Sequence, residues 1–112
     1  MPDGFVPDRG DLVWLQFDPQ AGHEQAGRRP VLVLSPRSYN AASGLALLCP
    51  ITSRIKGYPF EVLLPRDCPA QGAVLADQLK SLDWRIRRAR RIGRAPAAVI
   101  DEALAKAHSL LD

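Results

Sequence analysis

GDLVWLQFDPQAGHEQAGRRPVLVLSP, the stretch from residue 10 to residue 36, holds two short apolar runs on either side of a polar loop. The first run, Leu12–Phe17, would place alternate side chains on opposite faces of a strand. The second run, Val31–Leu34, is apolar throughout, which is expected of a strand covered on both faces. The stretch therefore predicts two strands joined by the loop Asp18–Pro30.

Further short apolar runs follow, each bounded by turns that contain glycine, proline or asparagine. They are Leu45–Ile51, Phe60–Leu64 and Ala73–Ala76. Many short strands separated by turn signals are typical of a small antiparallel barrel or sandwich.

The last segment has helical rather than strand periodicity. Pro96 is suited to the first turn of a helix, and Asp101 and Glu102 are favourable near its start. An apolar stripe at helical spacing runs from Val99 to Leu111. The sequence therefore predicts a mostly β fold with a C-terminal helix of about four turns packed on the barrel.

Size and composition indicate one globular domain spanning residues 1–112. Of the 112 residues, 46% are hydrophobic and 24% charged, as in ordinary globular proteins. The N-terminal segment MPDGFVPDRGD lacks the apolar core of a secretory signal. No apolar run approaches the roughly 20 residues that span a membrane. We therefore expect a cytoplasmic protein.

Cysteine and histidine do not form a recognisable ligand set. Cys49 and Cys68 do not make a C-x-x-C motif, and the two histidines, His23 and His108, are far apart in the chain. The sequence therefore predicts neither a metal site nor a cofactor. We interpret the cysteines as reduced thiols, with a disulfide between them as the alternative.

Charge is unevenly distributed along the chain, although the net charge is only +3. Residues 1–24 hold five acids and one base, whereas residues 85–94, RIRRARRIGR, hold six arginines and no acid. This asymmetry favours a polyanionic partner on one face. The alternative is a solvated basic surface.

Three polar clusters lie where predicted strands meet loops. The loop Asp18–Pro30 contains His23, Glu24, Arg28 and Arg29. Thr52-Ser53-Arg54 follows one strand, and Asp77-Gln78-Leu79-Lys80-Ser81 follows another. Loops on a rigid scaffold often carry binding and catalytic residues.

These residue types match what RNA cleavage by the neighbouring 2′-hydroxyl requires. A base must take the hydroxyl proton, donors must stabilise the pentacoordinate phosphorane, and the 5′ oxygen must be protonated. A carboxylate can be the base, and an arginine binds phosphate oxygens in a fork geometry. Taken alone the pattern is weak, because most loop glutamates and arginines are solvated and Thr-Ser commonly forms turns.

Five ordered blocks make the chain resemble the MazF/PemK family of toxin endoribonucleases. They are PDRGDLVWLQFDP (7–19), GHEQAGRRPVLVLSP (22–36), KGYPFEV (56–62), AVLADQLKS (73–81) and WR (84–85). The resemblance implies an SH3-like antiparallel barrel that forms a homodimer with RNA across its interface. It also implies sequence-specific cleavage of single-stranded RNA, such as mRNA, to a 2′,3′-cyclic phosphate and a 5′-hydroxyl. The resemblance implies a cognate antitoxin as inhibitor, and the expected electropositive RNA groove predicts that its C-terminal tail is acidic.

The resemblance also suggests roles for individual residues. It implies that Glu24 is the general base, that Arg29 stabilises the transition state and supplies the leaving-group proton, and that Thr52 holds the scissile phosphate. The remaining candidates are predicted to bind RNA: His23, Arg28, Ser53, Arg54, Lys56, Tyr58, Asp77, Gln78, Lys80 and Arg87.

Several of these roles have alternatives. One branch of the family is thought to use an aspartate that matches Asp77 as base, but Leu75 stands where its helper arginine would be, which favours Glu24. Asp77 is then either an acceptor for a base edge or a structural loop residue. His23 could be an exposed hydrogen-bonding residue, and Phe60 a core residue. Trp14 and Trp84 are expected in the core or the dimer interface.

Two other functions are compatible with the fold. Toxins that poison gyrase share the barrel, but they are expected to act through apolar and tryptophan contacts at the C-terminus. This chain ends Ser109-Leu110-Leu111-Asp112, without a tryptophan. A non-catalytic RNA-binding barrel is the other alternative, and intact Glu24, Arg29 and Thr52 argue against it.

Overall fold

A computed structural model describes residues 4–17 and 27–112 of the chain. Seven strands and two helices occur in these ranges. In chain order they are β1 Asp11–Gln16, β2 Arg28–Val33, α1 Arg37–Ser43, β3 Leu45–Thr52, β4 Glu61–Leu63, β5 Ala73–Leu75, β6 Lys80–Asp83, β7 Arg90–Arg94 and α2 Ala97–Ser109. The prediction of a mostly β fold with a C-terminal helix is confirmed.

The strands form one antiparallel sheet in the order β4-β5-β3-β2-β1-β7. The longest strand, β3, lies at its centre and pairs with β2, β5 and β6 through different parts of its length. Across the described ranges no pairing joins β4 to β7, so the barrel-like sheet is open rather than closed.

Both faces of the central strands are buried, as their continuous apolar character predicts. Leu32 and Cys49 face one core, which the buried stripe of α2 completes. Val33 and Leu48 face a second core, together with Trp84. The alternation of side chains along each strand thus divides β1, β2 and β3 between two cores.

A buried polar network fixes α1 against the second core. The Asn40 amide donates to the carbonyl oxygens of Pro7 and Ser35 at 2.8 and 3.0 Å. The Trp84 indole nitrogen donates to the Asn40 carbonyl at 3.0 Å. This places Trp84 in the core, one of the two positions expected for it. Trp14 and Phe60 are only half-buried.

The two cysteines are free and buried, in agreement with the prediction of reduced thiols. Burial raises the pKa of the Cys49 thiol to about 12, and the negative charge of Asp77 adds to the shift. The thiol is therefore neutral and unreactive at neutral pH. Within the described ranges, neither helix has the length and apolar character needed to cross a membrane.

Candidate active site

The pairing of β2 with β3 brings two of the predicted catalytic residues together. Val31 lies opposite Pro50 in this antiparallel pair. Arg29 lies two residues before Val31 in β2, and Thr52 lies two residues after Pro50 at the end of β3, so both lie just beyond the paired residues at the same end of this strand pair. Residues distant in sequence therefore meet at one edge of the sheet.

An open cleft of about 660 Å³ lies at this edge. Its wall includes predicted residues from three separate segments of the chain: Arg28, Arg29, Thr52, Ser53, Arg54, Gln78 and Lys80. Phe17, Pro30, Pro50, Ile51, Gln71 and Leu75 complete the lining. We call this space the main cleft.

The main cleft has four cationic side chains on its wall, from Arg28, Arg29, Arg54 and Lys80. None of them forms an ion pair within residues 4–17 and 27–112. The guanidinium of Arg28 lies over the Trp14 ring at 4.6 Å from its centroid, a cation–π contact that limits its rotamers. The cleft is therefore electropositive and suited to phosphate groups.

Thr52 is positioned by its own turn and by a neighbouring glycine. Its hydroxyl oxygen accepts the backbone N–H of Arg54 at 3.0 Å, which leaves the hydroxyl proton free to donate. Gly72, at φ +115°, approaches the Thr52 carbonyl so closely that a Cβ atom there would collide with it. The end of β3 is thus held in place by the backbone of the strand beside it.

A smaller cleft of about 200 Å³ adjoins the main one and shares Thr52, Arg54, Leu75 and Gln78 with it. Its other lining residues are Lys56, Tyr58, Glu61 and Asp77. It brings together the remaining predicted residues that follow β3 and β5.

The carboxylate of Glu61 organises the loop that borders the smaller cleft. It is buried and accepts the backbone N–H groups of Lys56, at 3.1 and 3.2 Å, and Gly57, at 2.9 Å. Glu61 is not among the residues predicted from the sequence, although it is the acid of the KGYPFEV block. An acidic residue beginning an apolar strand was the available signal.

Two predicted residues, Glu24 and His23, lie outside the described residues. The described part of their loop ends in a neck, where the Phe17 N–H donates to the Gly27 carbonyl at 2.5 Å. Arg87 supports this neck, because its guanidinium donates to the carbonyls of Gln16 and Phe17 at 3.1 and 2.6 Å. Arg87 lines neither of the two clefts, so the structure places it at the base of the loop rather than in the cleft.

The six arginines of residues 85–94 separate into groups with different surroundings. Arg91 and Arg94 pair with the buried carboxylate of Asp11 at 3.4 and 3.7 Å. Arg85, Arg88 and Arg90 line a third cleft of about 470 Å³, whose floor includes Phe5 and Trp84. The run is therefore partly structural and only partly a free basic surface.

In the described ranges the two clefts offer several donors and two acids, Glu61 and Asp77, but no ligand set for a metal. No group of three histidine, cysteine, aspartate or glutamate side chains near enough to hold an ion occurs among residues 4–17 and 27–112. The arginine and lysine side chains of the main cleft can donate charge-assisted hydrogen bonds to a bound anion, and the Thr52 hydroxyl can donate one more.

Known proteins resemble this chain over nearly its whole length. The family model described as PemK-like, MazF-like toxin of type II toxin–antitoxin system matches residues 8–111. The endoribonuclease toxin MazF of Escherichia coli K12 is 46% identical over 111 residues, covering 99% of each chain. A crystal structure of MazF from Deinococcus radiodurans is 61% identical with a TM-score of 0.86, covering 96% of this chain and 97% of that one. A MazE–MazF crystal structure from the same organism is 54% identical with a TM-score of 0.86, covering 96% of each chain.

Proposed function

The chain belongs to the PemK-like, MazF-like family of type II toxins, and we propose that it cleaves single-stranded RNA at specific sequences without a metal ion. The observation that carries the proposal is the main cleft, whose wall holds Arg29 and Thr52 together with cationic side chains that form no ion pair within residues 4–17 and 27–112. The names of the relatives, endoribonuclease toxins among them, support the same activity.

The proposed reaction uses the 2′-hydroxyl of the RNA as its nucleophile. Glu24 removes the proton of that hydroxyl, which attacks the adjacent phosphate. The N–H groups of Arg29 and the hydroxyl of Thr52 donate to the non-bridging oxygens, where negative charge develops in the transition state. The 5′ oxygen leaves and takes up a proton, for which Arg29 is the proposed donor, and the product ends are a 2′,3′-cyclic phosphate and a 5′-hydroxyl.

The other cleft residues are proposed to bind the RNA on either side of the cut. Arg28, Arg54 and Lys80 contact backbone phosphates, and Ser53 and Gln78 add hydrogen bonds. Lys56, Tyr58 and Asp77 contact the RNA in the smaller cleft, and His23 contacts it from the loop. For Arg87 we propose an indirect contribution, because its guanidinium is already bound to the neck of the loop.

We also propose that the protein acts as a homodimer in the cytoplasm under the control of a cognate antitoxin. The related MazF of Deinococcus radiodurans has been crystallised with MazE. An acidic C-terminal tail would fit the electropositive main cleft and fold as it binds. Such a tail would compete with RNA, and its binding would weaken as salt rises.

Incubating the purified protein with end-labelled single-stranded RNA in EDTA tests the proposed function. We expect discrete cuts by the native chain and a loss of about 10²–10⁴ in rate for Glu24→Gln, which removes the base. Glu102→Gln, on the exposed surface of α2, is the matched control and should cut normally. RNA retention without cuts would indicate a non-catalytic RNA-binding barrel, and neither cuts nor retention would support a protein target instead.

A further inference from the structure

The third cleft combines an apolar floor with three guanidinium groups. It is lined by residues 4–6 and by the segment 84–90, and it shares no lining residue with the other two clefts. Its volume of about 470 Å³ is within the range of small-ligand pockets. In the described part of the chain no acid lines it, whereas Arg85, Arg88 and Arg90 do. Like charges around one cleft repel each other, and a bound anion would relieve that repulsion.

Arg88 adopts a backbone conformation that glycine would adopt at lower cost. Its φ is +56°, and no other non-glycine residue within residues 4–17 and 27–112 has a positive φ. The turn before it ends as helices often do. The Ala89 N–H donates to the Trp84 carbonyl at 3.0 Å, and the N–H of Arg88 itself donates to the Arg85 carbonyl at 3.1 Å. Glycine is the usual residue at this left-handed position, and backbone strain of this kind is commonly retained where a side chain serves a function.

The three arginines are presented to the cleft from fixed positions. The Arg85 guanidinium lies 4.9 Å from the Trp84 ring centroid and donates to the Ala41 carbonyl at 3.3 Å. Arg90 lies on β7, which pairs with β1. Arg88 and Arg90 are exposed and form no ion pair in the described ranges, so their N–H groups are available to a ligand.

The two parts of the lining indicate the chemical class of the ligand. Guanidinium groups bind phosphate in a fork geometry, and they also stack on the flat face of a base. The half-buried Phe5 ring adds an aromatic surface beside them. A phosphate ion would use only the charges, and an uncharged aromatic molecule would use only the floor. A nucleotide uses both, because it joins a flat base to an anionic phosphate.

We propose that the third cleft binds a nucleotide, whose phosphate contacts Arg88 and Arg90 and whose base packs against Phe5 and Arg85. The nucleotide is either free in solution or part of an RNA strand that extends beyond the main cleft. Binding of a free nucleotide is independent of the proposed function, whereas binding of a strand rests on it. Two separate titrations distinguish these sources.

Calorimetric titration with AMP tests the site directly, with inorganic phosphate and adenosine as partial ligands that should bind more weakly. The variant is Arg88→Gly, which removes the guanidinium and also relieves the positive φ. We expect its AMP affinity to fall on the order of tenfold, as for the loss of one charge-assisted hydrogen bond. Chemical denaturation should show a variant at least as stable as the native chain, whereas a merely structural Arg88 would leave it less stable. Arg54→Ala, which removes a cation of the main cleft, is the matched control and should bind AMP normally.

The second titration uses two 2′-O-methyl RNAs, which cannot be cut. A short one fills the main cleft, and a longer one is extended at both ends. Tighter binding of the longer RNA that is lost in Arg88→Gly would assign the site to a nucleotide of the strand. AMP binding without that gain would assign it to a free nucleotide.

Two results would overturn the proposal. One is equal affinity of the native chain and Arg88→Gly for both AMP and the longer RNA. The other is binding of inorganic phosphate as tight as that of AMP, which would show an anion site that takes no base. Because the AMP titration involves no cleavage, it decides the free-nucleotide site even if the native chain cuts no RNA.

Discussion

Arg29 owes its proposed role to its place near the start of β2 as much as to its chemistry. It is exposed, lines the main cleft and has no ion-pair partner in the described ranges. A guanidinium is positively charged before the reaction begins and offers several donors in a planar fork. A lysine at the same position would supply a charge but not that geometry.

Replacing Arg29 by alanine should reduce the rate of RNA cleavage by about 10²–10³, because one donor to the developing phosphorane charge is lost. Arg29→Lys should recover part of this loss, and Arg66→Ala, which removes an exposed arginine from a turn outside both clefts, should cut normally. Single-turnover cleavage rates, with thermal unfolding to confirm folding, provide the measurement. Near-normal turnover by Arg29→Ala would remove Arg29 from the proposed active site.

The candidate active site depends on how β2, β3 and β5 are packed together. Antiparallel pairing aligns the start of β2 with the end of β3. On the other side, Thr52 pairs with Ala73 of β5, and Gly72 just before it lies against the Thr52 backbone. A side chain at residue 72 would have to displace the strand end that carries Thr52.

Gly72→Ala should therefore destabilise the fold more than Gly57→Ala. Both positions have positive φ, +115° and +80°, but only at Gly72 would the new Cβ meet backbone atoms. Gly57→Ala carries the conformational cost of about 1–2 kcal/mol, whereas Gly72→Ala adds an overpacking cost of about 1–3 kcal/mol. Chemical denaturation of both variants measures the difference, and equal losses of unfolding free energy would contradict the close packing.

The elements that were predicted correctly from the sequence are those whose apolar residues follow a regular strand or helix pattern. The runs at β1, β2 and β3 and the helical stripe of α2 each bury an apolar face, so their patterns were visible. The missed elements were α1, β6 and β7. Asn40 is the only buried residue of α1, and β6 and β7 are mostly polar strands held by pairing with β3 and β1. Their structure comes from neighbours that sequence periodicity does not reveal.

The residues of the candidate site divide in the same way. Some could be predicted from the local sequence, and others depend on tertiary contacts. Arg29 and Thr52 were predicted from strand ends and from the family resemblance, and the structure brings both to the main cleft. The role of Glu61 depends on hydrogen bonds to a loop that folds back on it. Arg87 contacts the base of the loop from the turn between β6 and β7. The local sequence marks Glu61 only as an acid at the start of an apolar strand, and it does not reveal either set of contacts.

Across the part of the chain that the structure describes, cations without an ion-pair partner line the main cleft. Arg91 and Arg94 form ion pairs with Asp11. Arg90 instead lies opposite Trp14 in the β1–β7 pair. The Arg28 guanidinium stacks over the Trp14 ring. Arg88 is two residues away on the rim of the third cleft. We expect the backbone of a long RNA to continue from Arg28 toward Arg90 and Arg88.

Neutralising Arg88 and Arg90 to glutamine should flatten the salt dependence of RNA binding. Each lost phosphate contact lowers the slope of log affinity against log salt by about 0.7 for a single strand. Arg91→Gln is the matched control, since Arg91 is paired with Asp11 and should leave the slope unchanged. The preferred cut sequence should stay the same, because backbone contacts carry no sequence information. An unchanged slope after neutralising Arg88 and Arg90 would show that they do not contact RNA.

Cleavage of an RNA with deoxyribose at a single cut position, in EDTA, tests the central claim most directly. The proposed reaction uses the 2′-hydroxyl as nucleophile, so removing that one oxygen leaves nothing to attack the adjacent phosphate. We predict that cutting stops at the substituted position and continues at an unmodified copy of the same sequence elsewhere in the strand. Continued cutting at the deoxyribose position would contradict the account, because an external nucleophile would then be doing the chemistry.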